Sequence, residues 1–286
     1  MQNGTFNCIA VFDAVPEGEL STARRLHEDL SDLKSAKAEE LKQLRLRYFR
    51  IESLQDLERY CQELLSESEN NALIPWIHLD AHGLDDNSGF RAAGGSKVTW
   101  EAFSKLITPI NVSTNCNIVL VLACCFGAYY IQSLRPDQRS PMLALVGPIR
   151  EVLAGEVEAD FKVFYLRMFD GFSFGEAVKA ITETNRRPQY YATTAHELFL
   201  ESWKGYKEGH CSSKSVKSRA LQLILRLRQV RPDEVHRIGE IKRLIKDKEP
   251  EFFDICRDTL FICDIYPENS SRFPITYENA QKYAVR

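Results

Sequence analysis

The feature that most constrains the fold is a continuous apolar run, NIVLVLAC, at residues 117–124. A strand with one solvated face alternates apolar and polar residues, whereas a strand covered on both faces can be apolar throughout. The run is also shorter than the roughly 20 residues that a membrane-spanning helix needs. We therefore expect a central parallel strand with helices on both sides.

The remaining apolar runs alternate with stretches of helical spacing, which is the pattern of a βαβα chain. Strands are predicted at 6–14, 47–52, 73–83, 117–124 and 143–146, with a hairpin at 90–98. Helices are predicted from Ser21 to about Leu46, after Ser53, and at 100–107, 155–171 and 173–181. This order predicts an α/β fold, namely a three-layer sandwich with a mostly parallel central sheet.

Beyond about Gly209 the sequence changes character and becomes helical and rich in Lys and Arg. The last residues, from about 251, are aromatic and apolar enough to pack rather than stay disordered. The predicted domains are therefore an α/β domain at 1–209 and a helical C-terminal extension at 210–286 that packs on the core.

Charge and cysteine usage narrow the class of protein. A net charge of −3 gives no overall attraction to nucleic acid or to an anionic membrane. The first residues lack the cationic and apolar regions of a secretory signal, which favours a cytoplasmic protein with reduced thiols. The eight cysteines show no paired CxxC spacing. We therefore expect neither a disulfide framework, nor a metal site, nor a cofactor.

Two predicted strands end on residues that carry chemistry. His82 follows IPWIHLDA and precedes Gly83, while Cys124 ends the apolar run and is followed by Gly127. Sites in open α/β sheets form beyond the carboxyl ends of the strands, so both side chains are expected in one crevice. Histidine titrates in the range needed to take a thiol proton and to protonate a leaving amine. Backbone N–H groups near Gly83 and Cys124 would bind the oxyanion.

Each of these residues also has a structural interpretation. A buried cysteine is most often a small core residue, and only the joint occurrence of the two strand ends favours catalysis. His78, inside the third strand, is interpreted as a core histidine. The carboxylates of Asp80, Asp85 and Asp86 would orient His82 or read a basic side chain, although solvated loop carboxylates are the simpler interpretation.

The motifs LDAHG at 79–83 and ACCFG at 123–127 resemble those of the caspase-like clan of cysteine peptidases, clan CD. This clan contains caspases, metacaspases, legumain, separase and the bacterial CHAT domains. The likeness is closest to CHAT, in which an apolar strand leads to Ala-Cys, two variable residues and Gly. It continues through Phe164-Tyr165, Gly171 and Glu176-Ala177, and covers about residues 70–185.

The resemblance implies a caspase-hemoglobinase-like fold and a cysteine endopeptidase that acts on protein. The positions matching His82 and Cys124 are the base and the nucleophile of the family, and Gly83 would supply the backbone oxyanion donor. The Cys-to-Gly spacing of caspases proper would select Cys125 instead. The arginines that select Asp in caspases have no aligned counterpart among Arg91, Arg135 and Arg139. A bacterial defence or cell-death module, an activating protein partner and cleavage in the 135–140 loop are further expectations.

Three other functions remain open at this stage. A catalytically silent adaptor would have its crevice filled by a side chain such as Phe126 or Tyr129. A nucleic-acid-binding regulator would act through the basic residues 214–248 and would lose affinity steeply with salt. A cysteine hydrolase with a non-peptide substrate would keep the same dyad, since a fold does not fix the acyl group.

Overall fold

The computed structural model of the chain describes residues 5–183, 189–230 and 237–284. The strands in these residues are β1 (Cys8–Asp13), β2 (Arg45–Arg50), β3 (Pro75–Asp80), β4 (His82–Gly83), β5 (Gly89–Arg91), β6 (Lys97–Thr99), β7 (Val119–Ala123), β8 (Ala144–Pro148) and β9 (Tyr190–Thr194). Six of them form a central sheet in the order β2-β1-β3-β7-β8-β9. The first five strands of that order run parallel, and β9 is antiparallel to β8.

The register brings the carboxyl ends of the three inner strands into line. Asp13 at the end of β1 pairs with Asp80 at the end of β3, and Asp80 pairs with Ala123 at the end of β7. The chain leaves β1 toward β2 on one side, while β3 and β7 lie on the other side. This reversal of strand order opens a crevice at the carboxyl ends of β1 and β3, which is where α/β sheets bind ligands.

The helices are α1 (Thr22–Ala36), α2 (Leu54–Asn71), α3 (Trp100–Ser113), α4 (Ala154–Phe169), α5 (Phe174–Glu183), α6 (Ala195–His210), α7 (Ser213–Val230), α8 (Ile238–Asp247), α9 (Glu249–Leu260), α10 (Asn269–Arg272) and α11 (Tyr277–Ala284), and a 3₁₀ helix spans Gly127–Ser133. None of them is long and apolar enough to cross a membrane in the part of the chain that the structure describes.

Helices cover both faces of the central sheet. On one face, α1, α4 and α5 pack over alternate strand residues such as Val11 and Val121. On the other face, Phe12 contacts Phe49, which in turn contacts Tyr60 of α2, and α2 packs beside α3. The predicted fold class, a three-layer α/β sandwich with a mostly parallel sheet and a helical C-terminal extension, is confirmed.

Several predicted boundaries are wrong, including the end of the third helix, which lies at Ser113 rather than Ile107. The first helix ends at Ala36 rather than near Leu46, because the chain must turn back in time for Arg45 to pair with Cys8. The third strand ends at Asp80 rather than at Gly83. Beyond it, His82 and Gly83 form β4, which pairs with β5 in a separate antiparallel sheet, β4-β5-β6.

The chain divides into two compact units. Unit 1 contains residues 1–135 and 140–195, and unit 2 contains Pro136–Arg139 with His196–Arg286. Unit 2 is helical, and a small apolar core between α7 and α8 includes Ala220, Ile224 and Ile241. The division into domains at 1–209 and 210–286 stays a prediction, as does the packing of the extension on the core.

Candidate active site

A cleft of about 280 Å³ opens at the carboxyl ends of β1, β3 and β7. Its apolar lining comes from the loops after β1 and β3, from the end of β7 and from residues 152–157. The polar groups on its lining are Glu19, Thr22, Asp80, His82, Cys124 and Cys125. The structure thus brings His82 and Cys124, which were predicted from two separate motifs, to the same cleft.

His82 stands at the rim of this cleft. It lies two residues beyond the end of β3 and pairs with Arg91 in the small sheet, which fixes its backbone. Its side chain is half-exposed, and its Nε2 atom lies 2.7 Å from Oε2 of Glu19. The imidazole is therefore accessible and is held on one side by a carboxylate.

Cys124 follows directly on β7 and is only 2% exposed. The chain turns sharply after it, with Gly127 N–H donating to the Cys124 carbonyl at 3.0 Å and Phe126 in the left-handed region at φ +59°. A Cβ on Gly127 would lie 2.9 Å from Leu122 and 3.1 Å from the Cys124 sulfur. The glycine three residues after Cys124 is thus required because the turn leaves no space for a side chain beside the thiol.

The Cys124 thiol lies in a poorly solvated environment. Burial raises its pKa well above the ordinary range, and the neighbouring Cys125 and Asp80 raise it further when they carry negative charge. The resting thiol is consequently protonated at neutral pH and needs a base to become a nucleophile.

Cys125 is more accessible, but its thiol is already engaged. The Cys125 sulfur accepts a hydrogen bond from Val152 N–H at 3.5 Å and donates to the Val152 carbonyl at 3.8 Å. It lines both the cleft and an adjoining cavity of about 580 Å³. Both cysteines therefore reach the cleft, and they differ in how their thiols are held.

Gly83 lies in close contact with the turn after β7. A Cβ at this position would lie 2.1 Å from the carbonyl oxygen of Cys125. That oxygen belongs to the backbone and cannot swing away, so only glycine fits without moving the chain. The glycine of the HG motif thus sets the spacing between the two strand ends.

The interpretation of Asp80 as a solvated loop carboxylate is wrong. Its side chain is 5% exposed and accepts a hydrogen bond from the Thr22 hydroxyl. Burial raises its pKa to about 7, and the charge of Asp13 adds to the increase, although Thr22 and His82 act in the opposite direction. A carboxyl with a pKa this close to neutral lies at the floor of the cleft.

The sequence analysis missed two carboxylates in this region, Glu19 and Asp13. Asp13 is fully buried and accepts hydrogen bonds from Val15 N–H, Ser21 and Tyr48, and it pairs with Arg50 at 3.0 Å. A carboxylate ending an apolar strand in register with Asp80 was the available signal for Asp13. Glu19 follows a Pro-Glu-Gly turn, and nothing in the local sequence indicates that it reaches His82.

The other expected residues lie outside the cleft. His78 is a core histidine, as interpreted from the sequence: it is 1% exposed, and burial lowers its pKa to about 3. Asp86 caps its own loop through Ser88, and Arg139 pairs with Asp264 at 2.6 Å. Phe126 lines the adjoining cavity instead of the cleft, and Tyr129 lines neither. Within the described ranges, no group of three or more His, Cys, Asp or Glu residues is arranged to hold a metal ion.

No protein-family model matches the chain, and no curated protein matches it. Among solved structures, the chain is similar to a secreted C11 cysteine protease from Bacteroides thetaiotaomicron, iotapain. The two are 11% identical, with a TM-score of 0.48, over 72% of this chain and 71% of that chain. A likeness this distant assigns neither an activity nor any residue to the present protein.

Proposed function

We propose that this chain is a cysteine endopeptidase of the caspase-like clan, with Cys124 as nucleophile and His82 as general base and acid. The observation that carries the proposal is the shared cleft at the carboxyl ends of β3 and β7, lined by both side chains. The LDAHG and ACCFG motifs support it, because their glycines fit the close approaches at Gly83 and Gly127.

The first chemical step follows from the burial of the thiol. Because the Cys124 pKa is raised, a preformed thiolate–imidazolium pair is disfavoured. His82 would instead take the thiol proton as the sulfur attacks the carbonyl carbon of the scissile peptide. The product of this step is a tetrahedral intermediate bearing an oxyanion, beside an imidazolium.

Gly83 is suited to bind that oxyanion through its backbone. Leu84 N–H donates to the Gly89 carbonyl at 2.9 Å, and alternate residues of an antiparallel ladder point their N–H groups away from the partner strand. The Gly83 N–H is therefore directed away from β5. When the intermediate collapses, His82 returns the proton to the leaving amine. Water then hydrolyses the thioester, releasing the acid and restoring the thiol.

The choice of Cys124 over Cys125 is part of the proposal. Cys125 makes two backbone hydrogen bonds to Val152 that it would have to give up to react. Cys124 packs against the glycine that defines the motif, and its spacing is that of metacaspases, legumain and CHAT. The resemblance to CHAT further supports a cytoplasmic bacterial enzyme that cuts a protein in a defence or cell-death module after a partner protein activates it.

The test combines hydrolysis of a peptide library with covalent labelling by peptidyl ketones, mapped by mass spectrometry. The proposal expects both to be lost in Cys124→Ala and His82→Ala and retained in Cys125→Ala. Loss in Cys125→Ala alone would move the nucleophile by one residue. Equal labelling of all four proteins would contradict a specific dyad, and hydrolysis of non-peptide acyl esters alone would identify a different hydrolase.

Two alternative functions each rest on one observation. The 2% exposure of Cys124 is compatible with a silent adaptor, which predicts no labelling of the wild type under any activating condition. A nucleic-acid regulator is favoured by a basic cavity of about 350 Å³ lined by Lys242, Arg243 and Lys246. That activity would reside in residues 214–248, of which 231–236 lie outside the described residues, and it predicts binding that weakens steeply with salt.

A further inference from the structure

We infer that Glu19 is the positioning residue of His82: its carboxylate accepts the Nε2–H of the imidazole and thereby leaves Nδ1 as the nitrogen that receives the Cys124 proton. This inference deepens the proposed function and rests on it. It turns a dyad into a three-membered arrangement whose third member comes from the loop between β1 and α1.

The contact itself fixes the tautomer of the ring. Oε2 of Glu19 lies 2.7 Å from Nε2 of His82, which is a short distance for an N–H donor and a carboxylate acceptor. A carboxylate oxygen has no proton to give, so the hydrogen must be on Nε2. In the neutral ring the other nitrogen, Nδ1, then carries the lone pair, which is the form that a general base needs.

Glu19 reaches His82 because of a tight turn in its own loop. Glu19 N–H donates to the Pro16 carbonyl at 3.3 Å, and Gly18 has φ +90°. A glycine with positive φ at the third position and a hydrogen bond closing the four residues are the features of a type II turn. The turn places the Glu19 side chain at the rim of the cleft, among the residues that line it.

Asp13 braces this loop at both ends. Its carboxylate accepts a hydrogen bond from Val15 N–H at 3.0 Å, just before the turn, and another from the Ser21 hydroxyl at 3.2 Å, just after it. Asp13 is itself fixed by Tyr48 and by Arg50, both on β2. The loop carrying Glu19 is therefore anchored to the central sheet, as a residue that orients a catalytic ring must be.

The contact is not explained as a contribution to stability. Both side chains are half-exposed, and ion pairs or hydrogen bonds at such sites contribute little to folding because water screens them. The contact between Glu19 and His82 therefore contributes little to stability. Its effect is on the orientation and the tautomer of the imidazole ring beside the proposed nucleophile. We therefore expect the loss of Glu19 to alter turnover far more than unfolding.

The experiment uses the full chain with ¹⁵N-labelled histidine and reads the tautomer of His82 by NMR at a pH where the ring is neutral. The variants are Glu19→Ala and Glu19→Gln, and Glu17→Gln is the matched control because Glu17 lies exposed in the same turn. We expect the Nε2–H form to dominate in the wild type, in Glu17→Gln and in Glu19→Gln, whose amide oxygen still accepts the hydrogen bond. In Glu19→Ala we expect a mixture of the two forms.

The kinetic arm measures peptide hydrolysis by the same proteins. We expect kcat to fall on the order of 10- to 100-fold in Glu19→Ala with little change in KM, which is less than the loss of a general base itself. In Glu19→Gln, kcat is expected between those of the wild type and Glu19→Ala. A structural role would not produce this split between kcat and KM together with the change of tautomer.

The two arms separate this inference from the proposed function. An unchanged tautomer in Glu19→Ala would overturn the role of Glu19, whether or not the protein hydrolyses peptides. A changed tautomer without hydrolysis in any protein would support the positioning of His82 and contradict the peptidase. A fall in kcat in Glu17→Gln equal to that in Glu19→Ala would also overturn the inference, since it would reflect the loop in general.

Discussion

In the folded chain the Asp80 carboxyl group keeps its proton to a higher pH than it would in water. It is buried beneath the cleft, and its pKa is raised to about 7. In the unfolded chain an aspartate titrates near about 3.9. Between these two pH values the unfolded chain has released a proton that the folded chain retains. The folded state therefore loses stability as the pH rises from about 4 to about 7.

We predict that Asp80→Asn removes this pH dependence. Asparagine keeps an oxygen that accepts the Thr22 hydrogen bond but has no charge to bury. The free energy of unfolding of the variant, relative to the wild type, should increase on the order of 2–3 kcal/mol between pH 5 and pH 8. Urea unfolding at several pH values measures it, with the loop variant Asp85→Asn as control. A difference that does not change with pH would contradict the buried-carboxyl interpretation.

At this scale the sequence predicted part of the candidate site and missed the rest for a physical reason. His82, Gly83 and Cys124 follow apolar strands, and strand ends in a parallel sheet meet at one edge. Glu19 reaches His82 only through a turn and a braced loop, which are tertiary features. Asp80 was expected to be solvated because a carboxylate next to a loop usually is.

Among the elements, the turn after β7 leaves no room for a side chain at Gly127. Gly127 packs against Leu122 and against the Cys124 sulfur, and its own φ is not in the left-handed region, so the demand is for space. Any side chain here must push either the strand or the thiol. The same substitution has no such consequence at Gly155, the second residue of α4, where a Cβ would meet open space.

We predict that Gly127→Ala destabilises the fold by about 1–3 kcal/mol, the usual effect of overpacking a well-filled interior, and lowers labelling of Cys124. Gly155→Ala should be neutral or slightly stabilising, because alanine is favoured over glycine in a helix. Denaturant unfolding and ketone labelling of both variants provide the comparison. Equal stability of the two variants would show that the turn after β7 has room to relax.

The sequence predicted the inner strands well and the edges of the sheet less well. β1, β3, β7 and β8 are buried on both faces, so each is largely apolar, and the charged residues Asp13 and Asp80 stand only at strand ends. β9 was not predicted, since it is an antiparallel edge strand with Tyr191 38% exposed and two threonines. The end of α1 was placed too late because charged helical residues continue past the point where β2 requires a turn.

At the scale of the whole molecule, unit 2 contains a small apolar core of its own between α7 and α8. The α7–α8 core of unit 2 is small, so each of its side chains contributes a large share. Ile241 is 6% exposed within that core, whereas Leu225 on α7 is 60% exposed. Ile241 and Leu225 are therefore a matched buried and exposed aliphatic residue in the same pair of helices.

We predict that Ile241→Ala costs about 2–4 kcal/mol through lost burial and a residual cavity, while Leu225→Ala changes stability by less than about 0.5 kcal/mol. Hydrogen exchange of the full chain should show protection falling over α7 and α8 in the first variant and unchanged in the second. Similar loss in both variants would mean that Leu225 is covered by a contact in solution.

The composition change near Gly209 predicts a C-terminal extension, and the compact unit 2 begins at His196 and includes Pro136–Arg139. Composition is a local property of the chain, whereas membership of a compact unit depends on distant residues. A four-residue loop between the 3₁₀ helix and β8 therefore has no sequence signal that connects it with residue 264.

The ion pair between Arg139 and Asp264 affects the order in which the chain folds during synthesis. A ribosome releases residues 136–139 long before it has synthesised Asp264. The nascent chain can assemble β1, β3, β7 and β8 while that loop still lacks its neighbours. We therefore expect residues 136–139 to adopt their final conformation only after these strands have paired, once Asp264 has been synthesised.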